Sequence, residues 1–489
     1  MFFDVPPIAV MNEAIVEHAK TRIRTCKNTH EYCPATKTTP LPKRVVDVGT
    51  DSSEAPLHIH LSEMNETAPY TALSYCWGGS QDIVTTSATL QSYTVSLPEA
   101  LPQTIQDAIT VTRRLNIRYL WIDALCIIQD DQADKANEIS VMGLVYKNAT
   151  VTIAAASAKT VNHGFLGDRT PFKACRLPFF LSDTKYGIIC VQNHQKYTVN
   201  IEPLESRAWA FQESLLSPRV LYFGTLGLMW KCQTDEFVTV EGTADPYHAV
   251  YNERLPTQVF IPSQGGTDMI TIDKQAEIWH QVVENYSRRK LTDLEDRLPA
   301  LAGIASELQK LWDDQYIAGM WRRCLVRHLG WYLSHPSGEE IRQVVSYTSP
   351  GWSWITRHNE VFVCLLHYEA AEVLDVSVTL LNETYPLGPV GSGRLVLRAP
   401  VLPGDVDVPP HICHMDDGAD WNRDMYPDMK FLLLGHIDLS FTPDGLYPVA
   451  LVLSKLEDGT FMRVGIVRGS GGDFSWSSDR VKEEVVTIV

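Results

Sequence analysis

No stretch of this 489-residue sequence has the apolar length of a membrane span, which needs about 20 consecutive apolar residues. The N-terminus, Met1-Phe-Phe-Asp-Val-Pro-Pro7, lacks the basic and apolar regions of a secretory signal. A cytoplasmic protein is therefore expected. Positive charge is scarce: 42 Lys and Arg stand against 59 Asp and Glu, a formal net charge of −17. The broad basic face that nucleic acid or an anionic membrane requires is thus not expected, although a local basic pocket is compatible with that balance. The GxxxxGK[ST] phosphate loop and the HExxH pair are missing, so no nucleoside-triphosphatase or zinc-protease signature is present. Internal repeats and low-complexity tracts are missing too. The ten cysteines are scattered along a long chain, and they read as mostly reduced, buried thiols.

Against these absences stands a globular composition, 45% hydrophobic and 21% charged, on a chain long enough for two or three domains. The organising stretch is Tyr119–Ile122, a short apolar strand ending on a carboxylate, Asp123. In open α/β sheets ligands bind at the carboxyl ends of strands, so an acid there is a candidate for chemistry. Upstream, residues 70–76 read as a strand that exits through Gly78-Gly79. A helix from Gln103 to Leu115 carries Ile105, Ile109 and Thr112 on one face, and Asn116 breaks it. Strand, helix, strand is the βαβ unit of a parallel sheet. Asp134 is expected to cap a helix running to Tyr146, and Thr150–Ala155 is expected as the third strand. Residues 157–200 read as an irregular insertion. A short helix over 204–216 places Trp209, Gln212 and Glu213 on one side, and 219–224 with 226–232 read as a hairpin.

Domain boundaries are expected at 1–60 (an N-terminal extension), 61–235 (the α/β domain), 236–335 (mostly helical) and 336–489 (β-rich). The extension opens with an amphipathic helix over Met11–Ile23, and Leu41–Val48 reads as an edge strand with His58–Leu61 as its hairpin partner. Between them lies Cys26-x3-His30-x2-Cys33, whose sulfur and imidazole spacing suits zinc. Three local ligands fall one short of a structural site, so a packed Cys/His turn is expected and no metal is assigned. Further on, helices are expected from Lys274 to Arg288-Arg-Lys290, from Thr292 or Asp293 through Leu308, and a third beginning with Tyr316–Trp321. Strands are expected at Gly351–Ile355, Glu360–Leu366, Gly393–Ala399, Tyr447–Leu453 and Arg463–Val467.

Four blocks, Tyr70-x-Ala-Leu-Ser-Tyr-Cys-Trp-Gly78, Tyr119-Leu-Trp-Ile-Asp-Ala-Leu-Cys-Ile-Ile-Gln-Asp130, Val145-Tyr-x-Asn-Ala149 and Arg207-Ala-Trp-x-Phe-Gln-Glu213, resemble the signature segments of the fungal heterokaryon-incompatibility (HET) domain. Tyr286-Ser-Arg288, Asp296–Ile304 and Gly351-Trp-Ser-Trp354 resemble segments that commonly follow it. The resemblance implies a fungal protein of non-self recognition and programmed cell death. It also implies remote similarity to TIR domains, many of which cleave NAD at the nicotinamide–ribose bond. The fold it implies is a TIR-like (flavodoxin-like) parallel sheet flanked by helices, followed by a helical segment and a β-rich C-terminal region.

On that similarity Glu213 is the expected catalytic carboxylate. Ser74, Trp77, Gly78, Asp123, Arg207 and Trp209 are expected to line the substrate site, with Arg207 meeting the pyrophosphate and a tryptophan stacking on a ring. NAD or NADP is then a substrate and no separate cofactor is needed. Self-association and a protein partner that triggers activation are expected. Two other possibilities stand beside this one: a non-enzymatic death scaffold that works by self-association, and a Cys126 nucleophile served by a histidine base. For Glu213 the structural alternative is a helix carboxylate paired with Arg207 or Arg219.

Overall fold

The computed structural model describes residues 2–4, 10–35, 39–49, 56–169, 173–182, 185–192, 202–225, 227–235, 238–239, 254–261, 270–333, 349–357, 359–383, 385–417, 421–422, 425–426, 428–438, 446–469 and 475–489. The chain divides into two units, Met1–Pro262 and Ser263–Val489.

The first unit runs β1 (Phe2–Asp4), α1 (Glu13–Thr29), β2 (Arg44–Asp47), β3 (His58–Leu61), β4 (Tyr70–Ser74), the single turn α2 (Leu90–Tyr93), α3 (Gln103–Arg114), β5 (Tyr119–Trp121) and the single turn α4 (Asp123–Cys126). It continues through α5 (Gln132–Asn148), β6 (Val151–Ala154), β7 (Lys173–Ser182), β8 (Lys185–Gln192), α6 (Ala208–Leu216), β9 (Arg219–Gly224), β10 (Gly227–Cys232) and β11 (Val238–Thr239). Eight strands form one sheet in the order β11-β10-β9-β6-β4-β5-β2-β3. Its centre is parallel: β4 pairs with β5 and with β6, and β6 pairs with β9. The edges are antiparallel, so the sheet is mixed where a parallel one was expected. The reason lies in connection length. A two-residue link between β9 and β10 permits only a hairpin, whereas the long helical crossovers β4–α3–β5 and β5–α5–β6 permit parallel pairing.

The first crossover places β5 on one side of β4 and the second places β6 on the other. The chain therefore reverses direction across the sheet at β4, the kind of switch point beside which open α/β sheets bind ligands. All five residues of β4 and all four of β6 are buried, as strands covered on both faces must be. Helix α3 buries Ile105, Ala108, Ile109, Val111 and Thr112. Just beyond it Asn116 adopts φ 58°, the left-handed conformation its side chain tolerates at a helix end.

Several expectations are corrected. The N-cap of α5 is Asp131, which accepts from the Ala133 and Asp134 amides at 3.0 and 3.1 Å. Asp134 itself is buried and paired with Arg44 and Lys43, because a carboxylate three residues into the helix points back toward β2. Within the expected irregular insertion, β7 and β8 pair as an antiparallel hairpin, joined by β1.

The second unit begins with α7 (Ile272–Ser287) and α8 (Pro299–Trp312), followed by the two-residue strands β12 (Tyr316–Ile317) and β13 (Met320–Trp321). The expected helix over Tyr316–Trp321 is thus a hairpin. Ala318 and Gly319 take φ of 46° and 86°, which no right-handed helix contains. The turn aims the Gly319 carbonyl at two indoles, accepting from Trp279 and Trp354 Nε1 at 2.8 and 2.9 Å. After the turn α9 (Leu325–His328), β14 (Trp331–Leu333) pairs with β15 (Val361–Val363). Gly351–Ile355, expected as a strand, is a turn leading into a 3-10 helix over Trp354–Thr356, because the Ser353 hydroxyl accepts from the Ile355 amide and starts that turn.

The remaining strands are β16 (Tyr368–Glu369), β17 (Glu372–Leu380), β18 (Val390–Pro403), β19 (Cys413–Met415), β20 (Lys430–Asp438), β21 (Leu446–Lys455), β22 (Phe461–Arg468) and β23 (Lys482–Ile488). They form the order β16-β20-β21-β22-β23-β18-β17. The long β18 also pairs with β20, which closes five strands into a ring. In the second unit Arg463 is fully buried, bonded to Asp416 at 3.0 Å and lying 3.4 Å above the Trp331 ring.

Candidate functional site

The carboxyl ends of β4 and β5 and the first turns of α6 converge on two acids. Ser74, the last residue of β4, donates its hydroxyl proton to Glu213 Oε2 on α6. The chain then leaves the sheet through Tyr75, Cys76 and Trp77. Trp77 Nε1 donates to Asp123 Oδ2 at 2.8 Å, and the Ala124 amide donates to Asp123 Oδ1 at 2.7 Å. Arg207, at the N-cap of α6, donates to the Tyr75 carbonyl, and its positive charge favours the ionised form of both acids. Tyr146 on α5 donates to the Leu73 carbonyl at 2.9 Å, with its hydroxyl also within reach of Glu213. The backbone of α6 is pinned from below, since Ser217 Oγ donates to the Glu213 carbonyl at 2.6 Å.

Glu213 is 6% exposed. Burial pushes its carboxyl up from 4.5 to about 7, against the opposing pull of Arg207 and the Ser74 hydrogen bond; the nearby Asp123 adds to the rise. Asp123 is raised as well, first by burial, with Arg207 and the Trp77 indole opposing. Burial raises both carboxyls while the Arg207 guanidinium opposes the rise in each, a kind of perturbation that clusters at functional sites. Trp77, Asp123, Arg207 and Trp209 are partly open to solvent, so a ligand would approach from their side.

Of the residues expected from the sequence, Ser74, Trp77, Asp123, Arg207 and Glu213 come together. Trp209 packs against the unit's hydrophobic core. Gly78 takes φ 74°, and a Cβ there would meet the Thr160 side chain and backbone. Its glycine therefore serves a close chain crossing. Arg219, a possible partner of Glu213, turns away to Cys26 and the Pro34 carbonyl. Cys126 is fully buried, and burial pushes its thiol up to about 12, the opposite of what a nucleophilic thiolate needs. Sequence reasoning missed Tyr75 and Tyr146. Tyr75 accepts from Gln81 at 3.0 Å and neighbours Asp123. The Val145-Tyr-x-Asn-Ala149 block was the available signal for Tyr146, but helical spacing assigned it only to the core. In the second unit a cavity of about 450 Å³ is lined by Asp313, Asp314, Gln315, Arg322, Arg323 and Val373. Asp314 is already occupied there by the Gln315 and Arg323 amides.

Residues 70–213 match the family model described as Heterokaryon incompatibility protein (HET). The chain carries a HET domain. The match begins on the first residue of β4 and ends on Glu213, so it covers β4, β5 and β6 of the parallel centre and the whole convergent site, and stops short of β9. No curated protein and no solved structure matches the chain. No helix among the described residues is long and apolar enough to cross a membrane.

Proposed function

We propose that this HET-domain protein acts in non-self recognition and programmed cell death. We further propose that the domain, as a TIR-like fold, hydrolyses the nicotinamide–ribose bond of NAD or NADP with Glu213 as the catalytic carboxylate. The observation that carries the proposal is Glu213 itself: a buried acid bonded to Ser74 at a strand end, beside Asp123 and Arg207.

The chemistry asks little of a leaving-group acid. Nicotinamide departs neutral from a pyridinium, taking the bonding pair, and the positive charge passes to the ribose. A carboxylate fixed against that ribose stabilises the oxocarbenium-like transition state. Water then adds to the anomeric carbon and gives up one proton. From NAD the products are ADP-ribose, nicotinamide and a proton, and from NADP the ADP-ribose keeps its 2′-phosphate; Asp123 or Glu213 is the local acceptor of the proton. The substrate's own positive charge favours the ionised form of Glu213, lowering a carboxyl that is held high in the free protein. Arg207 supplies the local cation for the pyrophosphate, and Trp77 a face for ring stacking.

The test is release of nicotinamide from NAD and from NADP by the purified full chain, beside Glu213→Gln and Glu213→Ala variants. Turnover that falls at least about a hundredfold in both variants is expected, the size typical of removing a transition-state stabiliser. Turnover that survives both would remove Glu213 from the chemistry. No turnover even in concentrated, self-associated preparations would leave the domain as a death scaffold.

A further inference from the structure

The end of α1 and the end of β10 bring together four metal-ligating side chains. Cys26 lies in the last turn of α1, His30 is its C-cap residue, Cys33 follows in the next turn, and Cys232 closes β10. Their ligand atoms all lie within 4.8 Å of one another. We propose that Cys26, His30, Cys33 and Cys232 bind a structural zinc ion.

Three observations support this independently of the HET site. The first is spacing. His30 Nδ1 stands 3.7 Å from Cys33 Sγ and 3.5 Å from Cys232 Sγ. A tetrahedral zinc with Zn–S near 2.3 Å and Zn–N near 2.0–2.1 Å requires an S···N edge of about 3.6 Å. These two sulfur–nitrogen separations therefore already match the edges of a coordination tetrahedron, and the other donor pairs lie within 4.8 Å.

The second is the surroundings of the sulfurs. Arg219 Nε donates to Cys26 Sγ at 3.1 Å, the Asp235 amide donates to Cys232 Sγ at 3.2 Å, and Thr234 Oγ1 lies 3.5 Å from Cys33 Sγ. Two of the sulfurs thus accept from N–H donors and the third has a hydroxyl beside it, the surroundings that thiolate ligands need. The third is charge. Three thiolates, one neutral imidazole and Zn²⁺ sum to −1, and the buried guanidinium of Arg219 brings the cluster to zero. Cys26, Cys33, Cys232 and Arg219 are all under 5% exposed, where an uncompensated charge would be costly. The donor set, Cys3His with no open position, is that of a closed structural site. Its effect is to tie residues 26–33 to the hairpin that follows α6, so the chain ahead of the HET match is held to the same unit.

The test uses the full chain purified without an affinity tag that binds metal. Elemental analysis is expected to find about one zinc per chain and no stoichiometric iron, as a closed Cys3His site implies. Titrating the native thiols with a mercurial should release that zinc, a readout that needs no folded variant. Cys232→Ser should lose the ion, while Cys126→Ser, which removes a buried thiol outside the cluster, should keep it. Arg219→Gln should weaken zinc affinity about 10–100-fold, as loss of a supporting hydrogen bond does. Native protein that holds no zinc after reconstitution under reducing conditions would overturn the proposal. So would zinc retained in Cys232→Ser, zinc retained through thiol titration, or a disulfide among the three cysteines in the protein as purified.

Discussion

At the scale of single residues, Glu213 makes a prediction that does not depend on catalysis. Its carboxyl titrates at about 7 in the folded chain against an ordinary 4.5. A carboxyl raised on folding contributes stability that is fully present below the ordinary value and is lost as the pH rises through the folded one. Glu213→Gln keeps the shape and removes the titration. Relative to the native protein, the variant should gain roughly 3 kcal/mol in unfolding free energy between about pH 4.5 and pH 8. Denaturant melts of both proteins across that range would read the gap. A gap that does not change with pH would mean that Glu213 does not carry the buried proton. Ser74 and Asp123 were legible in the sequence because each sits where a strand ends, and Glu213 because a carboxylate on the helix side that carries Trp209 is out of place on a face that normally points inward. Tyr75 and Tyr146 were not, since a buried tyrosine on a strand exit or helix face has the same pattern whether it packs or bonds an acid.

At the scale of elements, the segment leaving β4 carries the site. Trp77 donates to Asp123, and the Trp77 carbonyl accepts from the Val161 amide at 3.2 Å. The next residue, Gly78, has φ 74°, and a Cβ there would lie 2.3 Å from Thr160 Cγ2 and 2.7 Å from its Cα. Gly78→Ala combines a left-handed backbone with a clash against main chain. It should cost about 1–3 kcal/mol, read as a lowered thermal midpoint, and should displace Trp77 from Asp123, read as altered indole fluorescence. An unchanged midpoint would show that the crossing is loose. The Gly-Gly pair was visible in the sequence, but its role was expected to be ligand approach, because what crosses over a glycine is decided by a segment 80 residues further on. The same holds for Tyr316–Trp321, whose apolar pattern suits a helix until the positive φ of Ala318 and Gly319 turns it into a hairpin.

At the scale of the whole molecule, the large core of the first unit runs from Val10 to Cys232 and is internal to it. Leu255, Val259 and Phe260 are also buried, and Arg254 donates to the Gln233 carbonyl at 2.9 Å. Residues 1–262 expressed alone should therefore unfold in one cooperative transition, and residues 1–235 should melt at a lower temperature. Calorimetry of the two fragments would check this, and a non-cooperative 1–262 fragment would sink it. In the second unit, the three segments that resemble those following HET domains converge. The Tyr286 hydroxyl donates to the Arg297 carbonyl at 2.7 Å, and the Arg297 guanidinium lies 5.0 Å from the Trp354 ring centroid. These motifs belong to a core.

Sequence alone determined what depends on local spacing: the βαβ order, the helix limits near Gln103 and Asn116, the acid at the end of β5, and the four HET blocks. Tertiary structure decided what depends on which distant segments meet. It joined Ser74 to Glu213, turned Arg219 from Glu213 toward Cys26, and brought Cys232 to Cys26, His30 and Cys33. A run of residues encodes its own periodicity, but a hydrogen bond or a ligand set between remote segments exists only once the sheet order has placed them side by side.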